Sequence, residues 1–387
     1  MSISAYLFKY IDINPKELLA KGALAKKISM DKLQPFCRDV PEYEIAKFSG
    51  GTRFRNGDTI MARITPCLEN GKTAMVNILE PGEVGFGSTE FIVFRAKEGY
   101  TDPNFVYYLV KSSFVRDPAI KSMVGSSGRQ RVQTDVVQNL IVPFPSLLEQ
   151  RKIASILKSL DDKIALNTAI NDNLEQQAQA IFRREVLRNG KLPPNWTTGS
   201  LLDIADYLNG VAMQKFRPID GERGLPVLKI KELRQGFCDY SSELCSPNIK
   251  PEFIVHDGDV IFSWSGSLLV DLWCGGTCGL NQHLFKVTSD KYPKWFYYAW
   301  TAHHLARFVA IAADKATTMG HIKREDLAKA EVIIPDTTSM ERIGGVIEPI
   351  YDLIINQRVE NRRLSMLRDS LLPKLMSGEL DVSSVEL

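Results

Sequence analysis

The chain has 387 residues, 44% hydrophobic and 24% charged, with a formal net charge of +2. That is the balance of a soluble globular protein large enough for roughly two or three domains. No apolar run reaches the roughly 18 residues of a membrane span, the first ten residues lack a signal-peptide layout, and six cysteines are too sparse for a disulfide scaffold, so a reducing cytoplasm is expected. Charge is not spread as one basic surface. Residues 1–150 carry 19 Lys/Arg against 16 Asp/Glu, and 191–338 carry 16 against 17.

Residues 1–150 read as a first α/β globule. "FRNGDTIMARI" sets a turn at Asn56–Gly57–Asp58 and a strand after it. "PCLENGKT" resembles a phosphate-binding loop, but Pro66 stands where that motif needs glycine, so nucleotide binding is set aside. "DPNFVYYLV" follows, and the apolar strand of "NLIVPFP" closes the globule at a proline.

Residues 151–190 predict a long helix. Ile153, Leu157, Leu160, Ile164, Asn167, Asn171, Leu174, Ala178 and Ile181 alternate at spacings of 4 and 3, the seam of a coiled coil. A helix over 151–187 would be about 55 Å long.

Residues 191–338 repeat the first globule. In "IVHDGDVIFSW" Gly258 and Asp259 fall on Gly57 and Asp58, "YPKWFYYAW" falls on "DPNFVYYLV", and "EVIIPD" closes as "NLIVPFP" does. The tyrosine pairs Tyr107/Tyr108 and Tyr297/Tyr298 are read as core. Cys238, Cys245, Cys274 and Cys278 lack the paired spacing of structural zinc sites, and His256, His283, His303, His304 and His321 form no ligand pattern. No nucleophile elbow, zinc-protease helix or dinucleotide turn is present, so the chain is expected to be non-catalytic, with no metal and no cofactor of its own.

Residues 339–387 carry the second seam: Ile343, Ile347, Ile350, Ile354, Gln357, Asn361, Leu364, Arg368 and Leu371. Pro349 and Pro373 predict a helix running between them, about 36 Å long, with Ser339–Ile347 a separate short helix. The two seams coincide 190 residues apart, polar interruptions included: Asn167 with Gln357, Asn171 with Asn361. A duplicated globule-plus-helix unit predicts two α/β domains bridged by an antiparallel coiled coil with pseudo-twofold symmetry. Asn167 would face Gln357 at the centre, with the globules at opposite ends of a rod. Its length is of the order of one turn of B-DNA, about 34–36 Å.

With these repeats in hand, the chain resembles the specificity subunits of type I restriction–modification systems over nearly its whole length. "INPKELLAKG", "FRNGDTIMARITPCLENGK", "GFGSTEF", "FVYYLV" and "GSSGRQRV" look like phrases of a target-recognition domain. "LLEQRKIASILKSLDDKIALN" and "LEQQAQAIF" look like the central conserved helical region. "LPPNW" looks like the entry to a second recognition domain, and "LLPKLMSGEL" like the C-terminal helical region. The resemblance implies a non-catalytic subunit of a restriction endonuclease and adenine-N6 methyltransferase complex. Each recognition domain would read half of a gapped double-stranded DNA target. The helices would set the gap and dock two methyltransferase subunits, and motor–nuclease subunits would complete the assembly. S-adenosylmethionine, ATP and Mg are expected on those partners, and none on this chain.

Phosphate contacts position a protein on DNA, while side chains on base edges specify sequence. In the first domain the candidates are Arg53, Arg55, Arg63 and Lys72, then Ser88, Thr89 and Glu90 of "GSTEF". Arg129, Gln130 and Arg131 lie on a Gly/Ser loop. Arginine to guanine, glutamine to adenine and glutamate to the cytosine amino group are the pairings these side chains offer. In the second domain the candidates are Lys215, Arg217, Lys229, Lys231, Ser263, Trp264, Ser265, Lys315, Thr317, Thr318, Lys323 and Arg324. The alternative is a coiled-coil scaffold that joins partners without reading DNA.

Overall fold

A computed structural model describes residues 3–126, 128–187, 192–314 and 321–386. Lys315, Thr317 and Thr318 lie outside the described residues. The chain forms two compact units: Met1–Lys163 with Leu364–Leu387, and Ile164–Arg363.

In the first unit a four-stranded antiparallel sheet has the order Ile11–Ile13, Phe91–Ala96, Thr59–Ala62, Thr73–Met75. A second sheet runs Glu44–Lys47, Leu24–Ile28, Gly85–Gly87, Thr52–Phe54, with its central pair parallel. Ile3–Tyr6 pairs with the proline-closed strand Ile141–Phe144. The strand Thr59–Ala62 is buried at all four positions, as suits a strand covered on both faces. The helix Pro103–Lys111 supplies Phe105 through Val110 to the core. Asp102 caps it, its carboxylate accepting from the backbone amides of Asn104 at 2.9 Å and Phe105 at 3.1 Å.

The second unit repeats this plan strand for strand. Asp206–Asn209, Leu284–Thr288, Val260–Ser263 and Leu269–Leu272 form the antiparallel sheet. Leu244–Cys245, Leu225–Leu228, Cys278–Leu280 and Ile254–Val255 form the mixed one, and Thr197–Ser200 pairs with Glu331–Ile334. The Gly–Asp turn does the same work in both units. The Asp58 carboxylate accepts from the Arg55 amide at 2.7 Å and pairs with Arg95 at 2.6 Å; Asp259 accepts from the His256 amide at 2.8 Å and pairs with Lys286 at 2.8 Å. Tyr107 and Tyr108 are fully buried and Tyr297 nearly so, as read for core residues.

Two long helices, Leu147–Glu185 and Thr337–Ser377, pack antiparallel. In the first unit the Arg368 guanidinium donates to Asp161 at 2.6 Å, both side chains buried, and the Tyr108 hydroxyl donates to the same carboxylate at 2.7 Å. In the second unit the Asn167 amide donates to Glu360 at 2.7 Å and Asn361 at 2.9 Å. These pairs fall in residue number on one helix as they rise on the other. Asn167 therefore meets Asn361 instead of Gln357, and a four-residue step along both helices sets Gln357 opposite Asn171. The 190-residue repeat makes the two pairs images of one another.

The helices also differ from the sequence reading in length. Ser339–Ile347 is not separate, and neither proline ends a helix: Pro349 and Pro373 both lie inside Thr337–Ser377. A proline ring strikes the carbonyl four residues earlier at a cost of about 3 kcal/mol. Four residues before Pro349 the chain is Gly345, preceded by Gly344, where backbone adjusts with least hindrance. A Cβ on Gly344 would lie 2.9 Å from the Trp295 indole nitrogen, so glycine here also admits the tryptophan. Ile343, Ile347, Tyr351 and Ile354 enter one core across Pro349, and Leu372, Leu375 and Met376 enter the first unit's core around Pro373. Tertiary burial outweighs the local penalty. Along the first seam Ile153, Leu157, Asn167 and Asn171 are buried while Leu160, Ile164, Leu174 and Ile181 are half-buried; Asp161 and Phe182 are the buried neighbours. Along the second, Ile354 is buried and Ile350, Gln357, Asn361, Leu364 and Leu371 are half-buried.

Candidate nucleic-acid interface

In the first unit three segments meet at the exit of the strand Thr59–Ala62. The Arg63 amide donates to the Glu90 carbonyl at 2.9 Å, the Val132 amide to the Arg63 carbonyl at 2.8 Å, and the Thr65 amide to the Gln130 carbonyl at 3.0 Å. Val124 and Arg131 exchange backbone bonds of 3.0 and 2.9 Å, closing the loop between them as a hairpin. Gly125 serves that closure: its φ is +135°, and a Cβ there would lie 3.0 Å from the Arg129 carbonyl.

This backbone frame gathers candidates that are far apart in sequence. Arg131 forks onto Glu90 with contacts of 2.7, 2.9 and 3.0 Å, and Arg63 stands 3.9 Å from the same carboxylate. The Arg131 guanidinium, with Arg63 behind it, holds the Glu90 carboxyl below its ordinary range. Ser88 accepts from the Glu90 amide at 3.1 Å, Gln130 is half-buried, and Thr89 and Arg129 are exposed. Arg129 makes no side-chain hydrogen bond or ion pair among the described residues. A cavity of about 340 Å³ adjoins Ser88 and is lined by Lys27, Ser29, Lys47 and Ser49 among others. Arg53, over the Phe48 ring at 5.8 Å, sits on the strand beside it. Lys27, which pairs with Glu44 at 3.4 Å, and Lys47 were not among the sequence candidates, although each lies in an acid-free run, between Glu17 and Asp31 and between Glu44 and Asp58. Arg55 and Lys72 are engaged internally: Arg55 pairs with buried Glu17 at 2.6 Å, and the Lys72 ammonium donates to the Met30 carbonyl at 2.8 Å.

The second unit builds the same frame from other residues. Trp264 follows the strand Val260–Ser263 as Arg63 follows Thr59–Ala62, and its amide donates to the His283 carbonyl at 3.4 Å. The Ile322 amide donates to the Trp264 carbonyl at 2.9 Å, and Ser265 bridges to His321 as Ile64 bridges to Arg131. Arg63, Glu90 and Arg131 thus correspond to Trp264, His283 and His321. Of these, sequence reasoning singled out only Trp264. Its buried neighbour Ser265 contacts His283 at 3.0 Å, and buried Ser263 donates to the Ser267 carbonyl at 2.9 Å. The other candidates are dispersed. Lys229 and Arg217 both pair with Glu243, at 2.6 and 3.6 Å, and Lys231 pairs with Asp239 at 3.1 Å. Lys215, Lys323 and Arg324 are exposed. Among the described residues no three His, Cys, Asp or Glu side chains are placed to hold a metal, and no helix is long and apolar enough to cross a membrane.

Residues 26–176 match the family model described as the type I restriction modification DNA specificity domain. The specificity subunit of the type I restriction enzyme MjaIX from Methanocaldococcus jannaschii is 25% identical over 304 residues, covering 73% of this chain and 70% of that protein. The chain is similar to specificity subunits of type I restriction–modification systems along most of its length. The HindI specificity subunit of Haemophilus influenzae is 23% identical over 404 residues, covering 84% of this chain and 87% of that one. The crystal structure of a type I system S subunit from M. genitalium has the same fold, with a TM-score of 0.56 at 12% identity over 97% and 96% of the two chains. The MjaIX and HindI relatives are both, by name, specificity subunits of type I restriction enzymes.

Proposed function

We propose that this chain is a specificity subunit that reads a bipartite, gapped target in double-stranded DNA, one half with residues 1–150 and the other with residues 191–338. The helical regions at 151–190 and 339–387 set the gap and dock two adenine-N6 methyltransferase subunits, and motor–nuclease subunits join that core. The observation that supports this reading is the frame built twice on one backbone plan with different side chains. Duplication that kept the scaffold and exchanged the exposed groups is what two unlike half-sites call for. Arg63, Glu90 and Arg131 are the base-reading group of the first domain, while Arg53, Arg129, Lys27 and Lys47 supply phosphate contacts. Arginine and glutamate together suit a G·C pair, guanine taking the guanidinium and cytosine's amino group the carboxylate.

The test is one heptad inserted in each long helix at matched positions. Seven residues add about 10.5 Å, or about three base pairs at 3.4 Å each. The recognised gap should lengthen by about that much with both half-sites intact; an unchanged gap rejects the spacer role.

A further inference from the structure

We infer that Gln282, His283 and His321, held by Trp264, form the base-reading cluster of the second half-site, in the place that Thr89, Glu90 and Arg131 occupy beside Arg63 in the first. This rests on the DNA-reading function proposed above and adds the residues and their chemistry. The inference comes from corresponding backbone bonds. Trp264 to His283 and Ile322 to Trp264 repeat Arg63 to Glu90 and Val132 to Arg63, and the Ser265–His321 bridge repeats Ile64–Arg131.

The side chains are arranged as a supported reading group. The Trp264 indole donates to Asn209 at 2.9 Å and packs on Phe285 with ring centres 5.8 Å apart. Its ring lies 6.1 Å from that of His283 and meets His321 edge-on at 6.2 Å. Trp264 is therefore a positioning residue that fixes both imidazoles. The buried Ser265 hydroxyl lies 3.0 Å from His283 Nδ1, and the Gln282 amide nitrogen 3.3 Å from His283 Nε2. A neutral ring with its proton on Nδ1 meets both contacts, donating to Ser265 and accepting from Gln282. Gln282, with its amide oxygen and second N–H left for the base edge, is suited to bidentate pairing with adenine; His283, both nitrogens engaged, orients it, and the His321 imidazole reads a single donor or acceptor. The second half-site should therefore contain at least one A·T pair that depends on Gln282. The first, read by a guanidinium–carboxylate fork, should contain a G·C pair.

The experiment uses the full complex of this chain with its methyltransferase subunits. The ligands are duplexes carrying the methylated target and single base-pair changes in each half. Gln282→Ala, His283→Ala and His321→Ala should each lower discrimination at second-half positions about tenfold or more and leave first-half discrimination intact. Arg131→Ala should do the converse. Equal loss of affinity for every duplex, or unchanged discrimination at both halves, overturns the inference. Where a histidine variant fails to assemble, the half-buried Gln282→Ala decides by the same criterion. If Arg131→Ala also leaves both halves unchanged, the failure extends to the DNA-reading function itself.

Discussion

Lys111 ends the helix Pro103–Lys111 with its ammonium buried and without a hydrogen bond among the described residues; Asp369 is 3.6 Å away. Burial, with Arg368 nearby, pulls its pKa down to about 8. Between about pH 8 and the ordinary 10.5 the unfolded chain still holds the proton that the folded chain has released, so stability rises with pH across that window. Lys111→Met should stabilise the fold at pH 7 by about 1–3 kcal/mol and remove that rise, as read from thermal melts at several pH values. Arg368→Met should do the opposite. It strands the buried Asp161 carboxylate with only the Tyr108 hydroxyl and should cost about 3 kcal/mol or more in chemical denaturation. At the proposed recognition surface Glu90→Ala frees the Arg131 guanidinium from its fork. It should weaken base discrimination in the first half-site while leaving or raising affinity for unrelated DNA, measured by competition binding.

At the level of elements, the helices were legible because a 4–3 spacing of apolar residues survives any context. Their ends were not. Pro349 and Pro373 read locally as boundaries, yet Ile347, Tyr351, Leu372 and Leu375 bury on either side of them and carry the helix through. The polar seam was legible as a set of residues, while its register, Asn167 with Asn361, depends on antiparallel packing that spacing alone leaves open. The amide oxygens of Asn171 and Gln357 are buried without a partner among the described residues. Asn171→Leu combined with Gln357→Leu should therefore raise stability by about 1–3 kcal/mol, measured by denaturation. Of the basic cluster Arg53, Arg55, Arg63 and Lys72, the fold ties up Arg55 and Lys72 internally and brings Arg63 to Glu90 and Arg131, which stand far from it in sequence. His283 and His321 read as scattered histidines, and Gln282 went unread, because only the backbone bonds align His283 with Glu90 and His321 with Arg131.

At the scale of the whole molecule, one plan is used twice: two sheets, a terminal strand pair, a buried helix after a Gly–Asp turn, and a long helix. Each long helix gives one end to each core, with Ile153 and Leu157 in the first and Ala178 and Phe182 in the second. The most direct measurement is modified-base sequencing of the host genome with and without this gene, its methyltransferase partners present in both. N6-methyladenine should vanish at one gapped, two-part motif and persist elsewhere. Adenine methylation unchanged at every motif would contradict the account.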